Sequence, residues 1–168
     1  MANGFDVFRV SNLVIDTAKE SNIELTSLKL QKILFILQGF YLYKYKARLI
    51  DGNFAKWQFG PTEKESYNYF KSYDSAEITD EAFDFSTETF EITPIPPISA
   101  DDIGSDRFAD LKFELTKLLS ILTWKLIELT RNDASWSNYE EEIRTYSAGD
   151  YADQEIKICY IYCFELQD

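Results

Sequence analysis

Between Leu25 and Tyr45 the chain reads LTSLKLQKILFILQGFYLYKY, and this stretch limits the folds open to everything else. On a 3.6-residue helix, Leu30, Ile33, Leu34, Leu37 and Tyr41 form one apolar stripe. Leu28, Phe35 and Leu42 form a second stripe on nearly the opposite side. Gln31 and Gln38 lie between the stripes on one flank, with Lys29, Lys32 and Ile36 on the other. A helix apolar on two faces is sandwiched between other elements rather than lying on a surface. Thr26 is placed to cap its start. Gly39 permits close approach of a neighbour, at some cost in helix propensity. The pattern predicts a buried central helix over about residues 25–45.

The flanking segments supply elements to pack around it. Asn3 is a candidate N-cap, with Val7, Val10, Val14 and Ala18 following at helical spacing to about Lys19. Ser21-Asn22 ends that helix. After Tyr45, Asp51-Gly52-Asn53 signals a turn. Phe54 to Phe59 reads as a short extended segment stopped by Gly60-Pro61. Thr62 and Glu65 then have capping-box spacing, and the helix they open carries Tyr67, Phe70 and Tyr73 along one side.

Residues 74–105 change character. Phe83–Glu88 and Thr89–Thr93 carry strand-forming residues, but Pro94, Pro96 and Pro97 are expected to end any pairing, which predicts one or two short strands and an exposed loop. Ser105 or Asp106 is the expected cap of the next helix. There Phe108, Leu111, Leu115, Leu118, Leu122, Leu126 and Leu129 recur at three and four, which by periodicity alone is one long helix. Arg131 to Ser137 is expected as loop, and Glu140-Glu141-Glu142 as a solvated face. Ile156 to Leu166 reads equally as a strand or as a helix capped by Asp153. The product is a mainly α, compact helical domain around a central buried helix, with a minor short-strand element.

A chain of 168 residues suits a single domain, 1–168, with length enough for a sizeable core. No apolar run reaches membrane-spanning length, because Gln38 and Lys44 interrupt the central helix, and no signal-peptide pattern opens the chain. A cytoplasmic protein is expected. Cys159 and Cys163 would share a helix face as reduced core residues, and without histidine two thiols lack the remaining ligands for a metal site. No metal or cofactor is expected.

The net charge of −12 is unevenly distributed. Residues 25–56 carry six basic side chains against the single acid Asp51, whereas 74–106 holds ten acids and neither lysine nor arginine. Such a surface repels nucleic-acid phosphate and attracts a basic protein partner, although solubility alone would also account for it. Catalysis has little to work with. The commonest general base is absent with histidine, and no nucleophile elbow, phosphate loop or zinc spacing is present. A non-enzymatic function is expected.

The string Leu25-Thr26-x-Leu28-Lys29-Leu30-Gln31-Lys32-x-Leu34-Phe35-x-x-Gln38-Gly39-Phe40-Tyr41-Leu42 resembles the signature of the SocA-like antitoxin family, also called Panacea. Ala55-Lys56-Trp57-Gln58-Phe59-Gly60-Pro61, with Tyr67 and Phe70, resembles that family's aromatic-Gly-Pro turn and next helix. Leu126-x-x-Leu129-Thr130 with Trp136 resembles its "Leu-Thr-His … Pro-Trp" segment, except that Arg131 replaces histidine and Ser135 replaces proline. These matches cover roughly residues 5–73 and 122–165. The resemblance implies a break near Ser120–Thr123 and a helix at 156–166, and makes 74–106 a variable acidic insertion.

The candidate partner-binding residues are therefore Lys29, Gln31, Lys32, Gln38, Trp57, Phe59, Gly60, Pro61, Tyr67 and Trp136. Each also has a structural reading. Gln31 and Gln38 would hydrogen-bond a packed neighbour's backbone, as buried amides must, and this is the preferred role for them. Trp57 and Trp136 would be core anchors. Yet 11 tyrosines and 13 phenylalanines exceed what a core of this size easily hides, so an exposed aromatic patch is expected.

The resemblance implies the neutralising half of a toxin–antitoxin pair, or a phage or mobile-element relative of one. Its partner would be a cognate toxin met by direct contact, with a protease as a further partner if the chain acts as an adaptor. No direct nucleic-acid or membrane partner is expected. Two readings compete: an acidic nucleic-acid mimic that blocks a DNA- or RNA-binding enzyme, motivated by residues 74–106, and a transcriptional autorepressor, for which no DNA-binding module is evident.

Overall fold

The computed structural model describes residues 3–166. The chain enters as a two-residue strand, β1 (Phe5–Asp6), paired in parallel with β2 (Ile50–Asp51). This pairing keeps the backbone extended past Asn3, so the cap of the first helix is Asp6, whose carboxylate accepts the Phe8 N–H at 2.8 Å. Gly4, at φ +93°, crosses Ile50 so closely that a Cβ would stand 2.6 Å from its backbone carbon. Helix α1 (Val7–Glu20) ends at Ser21, and Asn22, at φ 55°, turns the chain towards the next cap.

Helix α2 (Ser27–Tyr45) is the centre of the fold. The Thr26 hydroxyl caps it, accepting the Lys29 N–H at 3.3 Å. Nearly every residue from Ser27 to Tyr41 is buried, polar ones included. Leu28 is the exception, since it faces outward from a stripe that is otherwise covered.

A hairpin follows, β3 (Phe54–Trp57) with β4 (Gly60–Glu63), in the register Phe54↔Glu63 to Trp57↔Gly60. Gly60-Pro61 thus starts a second strand instead of ending the extended segment. The glycine's φ of +101° makes the turn, and Pro61 occupies a pairing position opposite Lys56. Because the ladder holds Thr62 extended opposite Ala55, the cap of α3 (Lys64–Phe70) passes to Glu63, whose carboxylate accepts the Ser66 and Glu65 N–H groups at 2.8 and 3.3 Å.

Residues 83–94 form the expected short-strand element, except that Pro94 does not end the pairing. Strand β5 (Phe83–Phe85) pairs antiparallel with β6 (Ile92–Pro94), Pro94 opposite Phe83 at the ladder's end, solvent-exposed along both strands. Its base is held by Asn12, buried on α1, which donates to the carbonyls of Ala82 and Ile95 and accepts the Ala82 N–H. A short helix, α4 (Ala100–Ile103), precedes α5 (Ser105–Leu119), so the residue before α5 is Gly104 and not Ser105 or Asp106.

The leucine repeat does break, and α6 (Thr123–Asn132) is separate. Ser120 Oγ donates back to the Lys117 carbonyl at 2.6 Å, and Leu122 is extended at ψ 142°. Such local hydrogen bonds compete with helix continuation. The segment expected as loop contains a helical turn, α7 (Ala134–Ser137), because Asp133 is extended and its carboxylate caps the turn through the Ser135 N–H. The triple glutamate opens an exposed short helix, α8 (Glu140–Arg144).

The C-terminal segment is helical: α9 (Asp153–Tyr160), then a wider π-turn over Ile161–Glu165. Asp153 is its first helical residue, and the Glu155 carboxylate accepts the Ala152 N–H at 3.0 Å. Helix α9 lies across Gly39, where a Cβ would meet Tyr160 Cβ at 2.7 Å and the Ile156 carbonyl at 2.9 Å. One apolar core joins α1, α2, α5, α6 and α9. Among the described residues, no helix is long and apolar enough to cross a membrane.

Candidate functional site

The polar residues of α2 are satisfied inside the protein. Gln38 accepts the N–H groups of Leu49 and Ile50, both at 2.9 Å, and donates to the Ile50 carbonyl at 3.1 Å, fixing the chain that returns to β2. Gln31 accepts the Glu63 N–H at 2.9 Å and donates to Ser66 Oγ at 3.3 Å, tying the hairpin to α3. Lys29 Nζ donates to the Leu119 carbonyl at 2.7 Å, where α5 ends. An unpaired buried amide would cost on the order of 1–3 kcal/mol, so these bonds make the arrangement tolerable.

Lys32 is the extreme case. Its side chain is fully buried, and Nζ donates to the Pro61 carbonyl at 2.8 Å. Among the described residues no carboxylate bonds to it, and desolvation lowers its pKa to about 7. A Cβ on Gly60 would lie 3.1 Å from both Lys32 Cε and Thr130 Oγ1. Lys32 on α2, Gly60-Pro61 on the hairpin and Thr130 on α6 therefore meet at one point, although they are far apart in the chain.

Above this junction the hairpin presents its aromatic residues. Trp57 packs edge-on against Tyr67, with ring centres 5.2 Å apart, and Phe59 at the turn is 59% exposed. Trp136 on α7 is buried, and its indole N–H donates to the Trp57 carbonyl at 2.8 Å, which locks the second wall to the hairpin. The Arg131 guanidinium stacks over the Trp136 ring at 4.4 Å. Lys56 Nζ sits between the Glu155 carboxylate (2.9 Å) and the face of Tyr139 (3.5 Å).

Lys56, Trp57, Phe59, Tyr67, Arg131 and Trp136, together with Leu28, Gln31 and Tyr146, line an open groove of about 1270 Å³. A second hollow of about 400 Å³ continues past Arg131 and Trp136 to the exposed Trp124. The main groove exceeds the ~300–1,000 Å³ of small-molecule pockets. Its lining carries Lys56, Lys71, Arg131 and Arg144 with Asp74 and Glu140. Lys56 is paired with Glu155 and Arg144 with Glu141, so with these partners counted the groove is close to neutral against the acidic excess of the whole chain.

A sequence model of the antitoxin SocA-like, Panacea domain family matches residues 30–137, more than half of the chain and all three parts of the junction. The chain belongs to the SocA-like Panacea family. Antitoxin SocA of Caulobacter vibrioides (strain NA1000 / CB15N) is 34% identical over 67 residues, a match that covers 40% of this chain and 36% of that protein. No solved structure matches.

Of the sequence-predicted site residues, the fold brings Gln31, Trp57, Phe59, Tyr67 and Trp136 to the Panacea groove. Lys29, Lys32 and Gln38 lie in the interior, as do Gly60 and Pro61 beneath the groove's rim. Sequence reasoning missed Arg131, Leu28, Lys56 and Tyr146 as lining residues. Arg131 was legible only as a departure from the family pattern. Lys56 and Tyr146 carried no signal, since their positions depend on how the hairpin meets α8.

Proposed function

We propose that this chain is an antitoxin that neutralises its cognate toxin by direct contact, seating a toxin segment in the aromatic groove between the β3–β4 hairpin and the α6–α7 corner. The observation that carries this reading is an open aromatic groove, with Gln31, Trp57, Phe59, Tyr67, Arg131 and Trp136 of its lining inside the family-matched residues 30–137. Exposed tryptophan and arginine on a rigid frame are the residues in which binding energy concentrates. Trp57 and Phe59 offer apolar anchorage, and Arg131, flattened on Trp136, offers a fork to a carboxylate or to backbone carbonyls of the bound segment. Lys32 and Gln38 act from within by holding the hairpin and α2 in place.

Residues 74–106 serve this reading as an acidic insertion that steers a basic toxin body during approach. Neutralisation by occupancy needs neither turnover nor cofactor. The test is co-expression with the product of the adjacent reading frame, combined with pull-down of that product. Trp57→Ala with Phe59→Ala should lose both rescue and capture while melting like the parent chain. Retention of both would sink the groove reading. Toxin that disappears instead of accumulating in the complex would identify delivery to a protease as the route.

A further inference from the structure

Behind the groove, where α6 gives way to α7 and the end of α9 packs across, three metal-ligating groups converge. Cys159 and Cys163 place their Sγ atoms 3.9 Å apart, and Cys163 Sγ stands 4.0 Å from Asp133 Oδ1. All three ligand atoms lie within 4.8 Å of one another. The carboxylate is aimed by its own second oxygen, because Asp133 Oδ2 accepts the N–H and hydroxyl of Ser135 at 3.0 and 2.5 Å, leaving Oδ1 towards the sulfurs. Such hydrogen bonding orients ligating carboxylates in metal sites. Cys159 is buried, whereas Cys163 and Asp133 are half-exposed, so the cluster opens to solvent on one side.

The spacing decides the chemistry. A tetrahedral ion with sulfur ligands at ~2.3 Å and oxygen at ~2.0 Å has ligand–ligand edges of roughly 3.5–3.8 Å. The sulfur–sulfur separation of 3.9 Å needs almost no change, and the 4.0 Å from Cys163 Sγ to Asp133 Oδ1 about half an ångström. The third edge, from Cys159 Sγ to Asp133 and within 4.8 Å, closes by the largest amount, through rotation of the Asp133 side chain. Two thiols pack readily as apolar core, and Cys163 Sγ also donates to the Leu129 carbonyl at 3.5 Å, but neither accounts for a carboxylate oxygen within 4.8 Å of both sulfurs. The expectation of no metal rested on missing ligands; Asp133, 26 and 30 residues away along the chain, supplies one that spacing could not reveal.

We propose that Cys159, Cys163 and Asp133 form a binding site for a thiophilic divalent cation of the zinc class, with water in the fourth position on the open side. Each thiol yields its proton to solvent as its sulfur binds, so two protons leave per ion and nothing is oxidised or reduced. The ion would cross-link α9 to the α6–α7 corner that carries Arg131 and Trp136, stiffening one wall of the groove.

The full chain, kept reduced, is titrated with cobalt(II) and with zinc. Expected are a thiolate-to-cobalt charge-transfer band saturating at one ion per chain, release of two protons per zinc, and a zinc-dependent rise in melting temperature. Cys159→Ser should abolish the band, and Cys163→Ser serves if that variant does not fold. Asp133→Asn, which keeps an oxygen to cap α7, should weaken binding at least tenfold. Absence of the band, or binding unchanged in Asp133→Asn, would overturn the three-ligand site.

Discussion

Lys32 Nζ donates to the Pro61 carbonyl oxygen at 2.8 Å, joining the central helix to the hairpin that forms the groove. The ammonium is fully buried, and among the described residues no carboxylate bonds to it. An ion in that position is costly to desolvate, which is why burial lowers its pKa to about 7. Its position under Gly60 also explains the glycine. A Cβ there would meet Lys32 and Thr130 at 3.1 Å, on a backbone already at φ +101°.

This pair predicts a pH dependence with a definite sign. Lys32 is lowered in the folded state, so between pH 7 and about 10.5 the unfolded chain holds a proton that the folded chain has released. Stability should therefore rise with pH through that window, by at most ~1.4 kcal/mol per pH unit from this group. Lys32→Met should flatten the slope between pH 7 and 9 in urea-melt series run on both proteins. Restricting the window to pH 9 avoids Tyr45, Tyr151 and Tyr160, whose raised pKa values make stability fall at higher pH. Equal slopes in the two proteins would show that Lys32 is charged in the fold.

Gly39→Ala sets helix propensity against packing. Alanine favours the helix by about 1 kcal/mol, but its methyl would enter within 2.7 Å of Tyr160 Cβ and 2.9 Å of the Ile156 carbonyl. Neither contact is a flexible side-chain end, so α9 must shift. Overpacking of this kind costs about 1–3 kcal/mol, and the net expectation is a lower melting temperature with α9 amides losing exchange protection first. A stabilised variant would mean that α9 is not seated on Gly39.

How much of this was legible in the sequence follows physical lines. The central helix was, because two apolar stripes at 3.6-residue spacing leave few alternatives, and so were its Thr26 cap and the close approach at Gly39. The helix starts at Asp6 and Glu63 were not, because strand pairing with β2 and β3 delays each helix past its locally best cap, a tertiary effect no window of residues contains. The hairpin was half-legible: Gly60 announced a turn, but only pairing with Lys56 shows that Pro61 continues as strand. Site residues divided likewise. The resemblance to the family's aromatic-Gly-Pro turn pointed to Trp57 and Phe59, whereas Lys32 and Gln38 read alike as partner contacts or internal braces until their partners were visible.

Asn12 is predicted to hold the acidic hairpin to the body. Its three hydrogen bonds to Ala82 and Ile95 are buried, and Asn12→Ala would orphan backbone groups at the base of the β5–β6 arm. At about 1–3 kcal/mol per buried unsatisfied group, a loss on the order of 3 kcal/mol is expected. Limited proteolysis should then cut within residues 77–98 well before the rest of the chain. Asn12→Asp keeps the acceptor to the Ala82 N–H but sets a buried carboxylate oxygen against the Ala82 and Ile95 carbonyls, and should be at least as damaging as the alanine variant at neutral pH. Cleavage elsewhere first would place the weak point outside this arm.

The last prediction separates toxin capture in the groove from nucleic-acid mimicry by the acidic segment. Both attract a basic partner, so charge alone does not discriminate. A mimic relies on carboxylates standing in for phosphates, and its binding falls steeply with salt. A groove relies on buried apolar area, which salt barely weakens. Replacing Asp80, Glu81, Asp84 and Glu88 together by serine tests the first. Glu81 shares a hydrogen bond with Asp16 and is pushed up to about 7, so at neutral pH the set removes fewer than four charges. This variant should associate several-fold more slowly, with dissociation nearly unchanged. Trp57→Ala tests the second and should speed dissociation by at least tenfold, in keeping with a loss of ~1.4 kcal/mol or more at an interface anchor. Arg131→Glu should do the same by placing a carboxylate over Trp136, where the guanidinium now stacks at 4.4 Å. Rates measured at low and high salt against the toxin decide the matter. If the serine variant loses all binding while Trp57→Ala and Arg131→Glu keep it, the acidic segment is the binding surface and the groove is not.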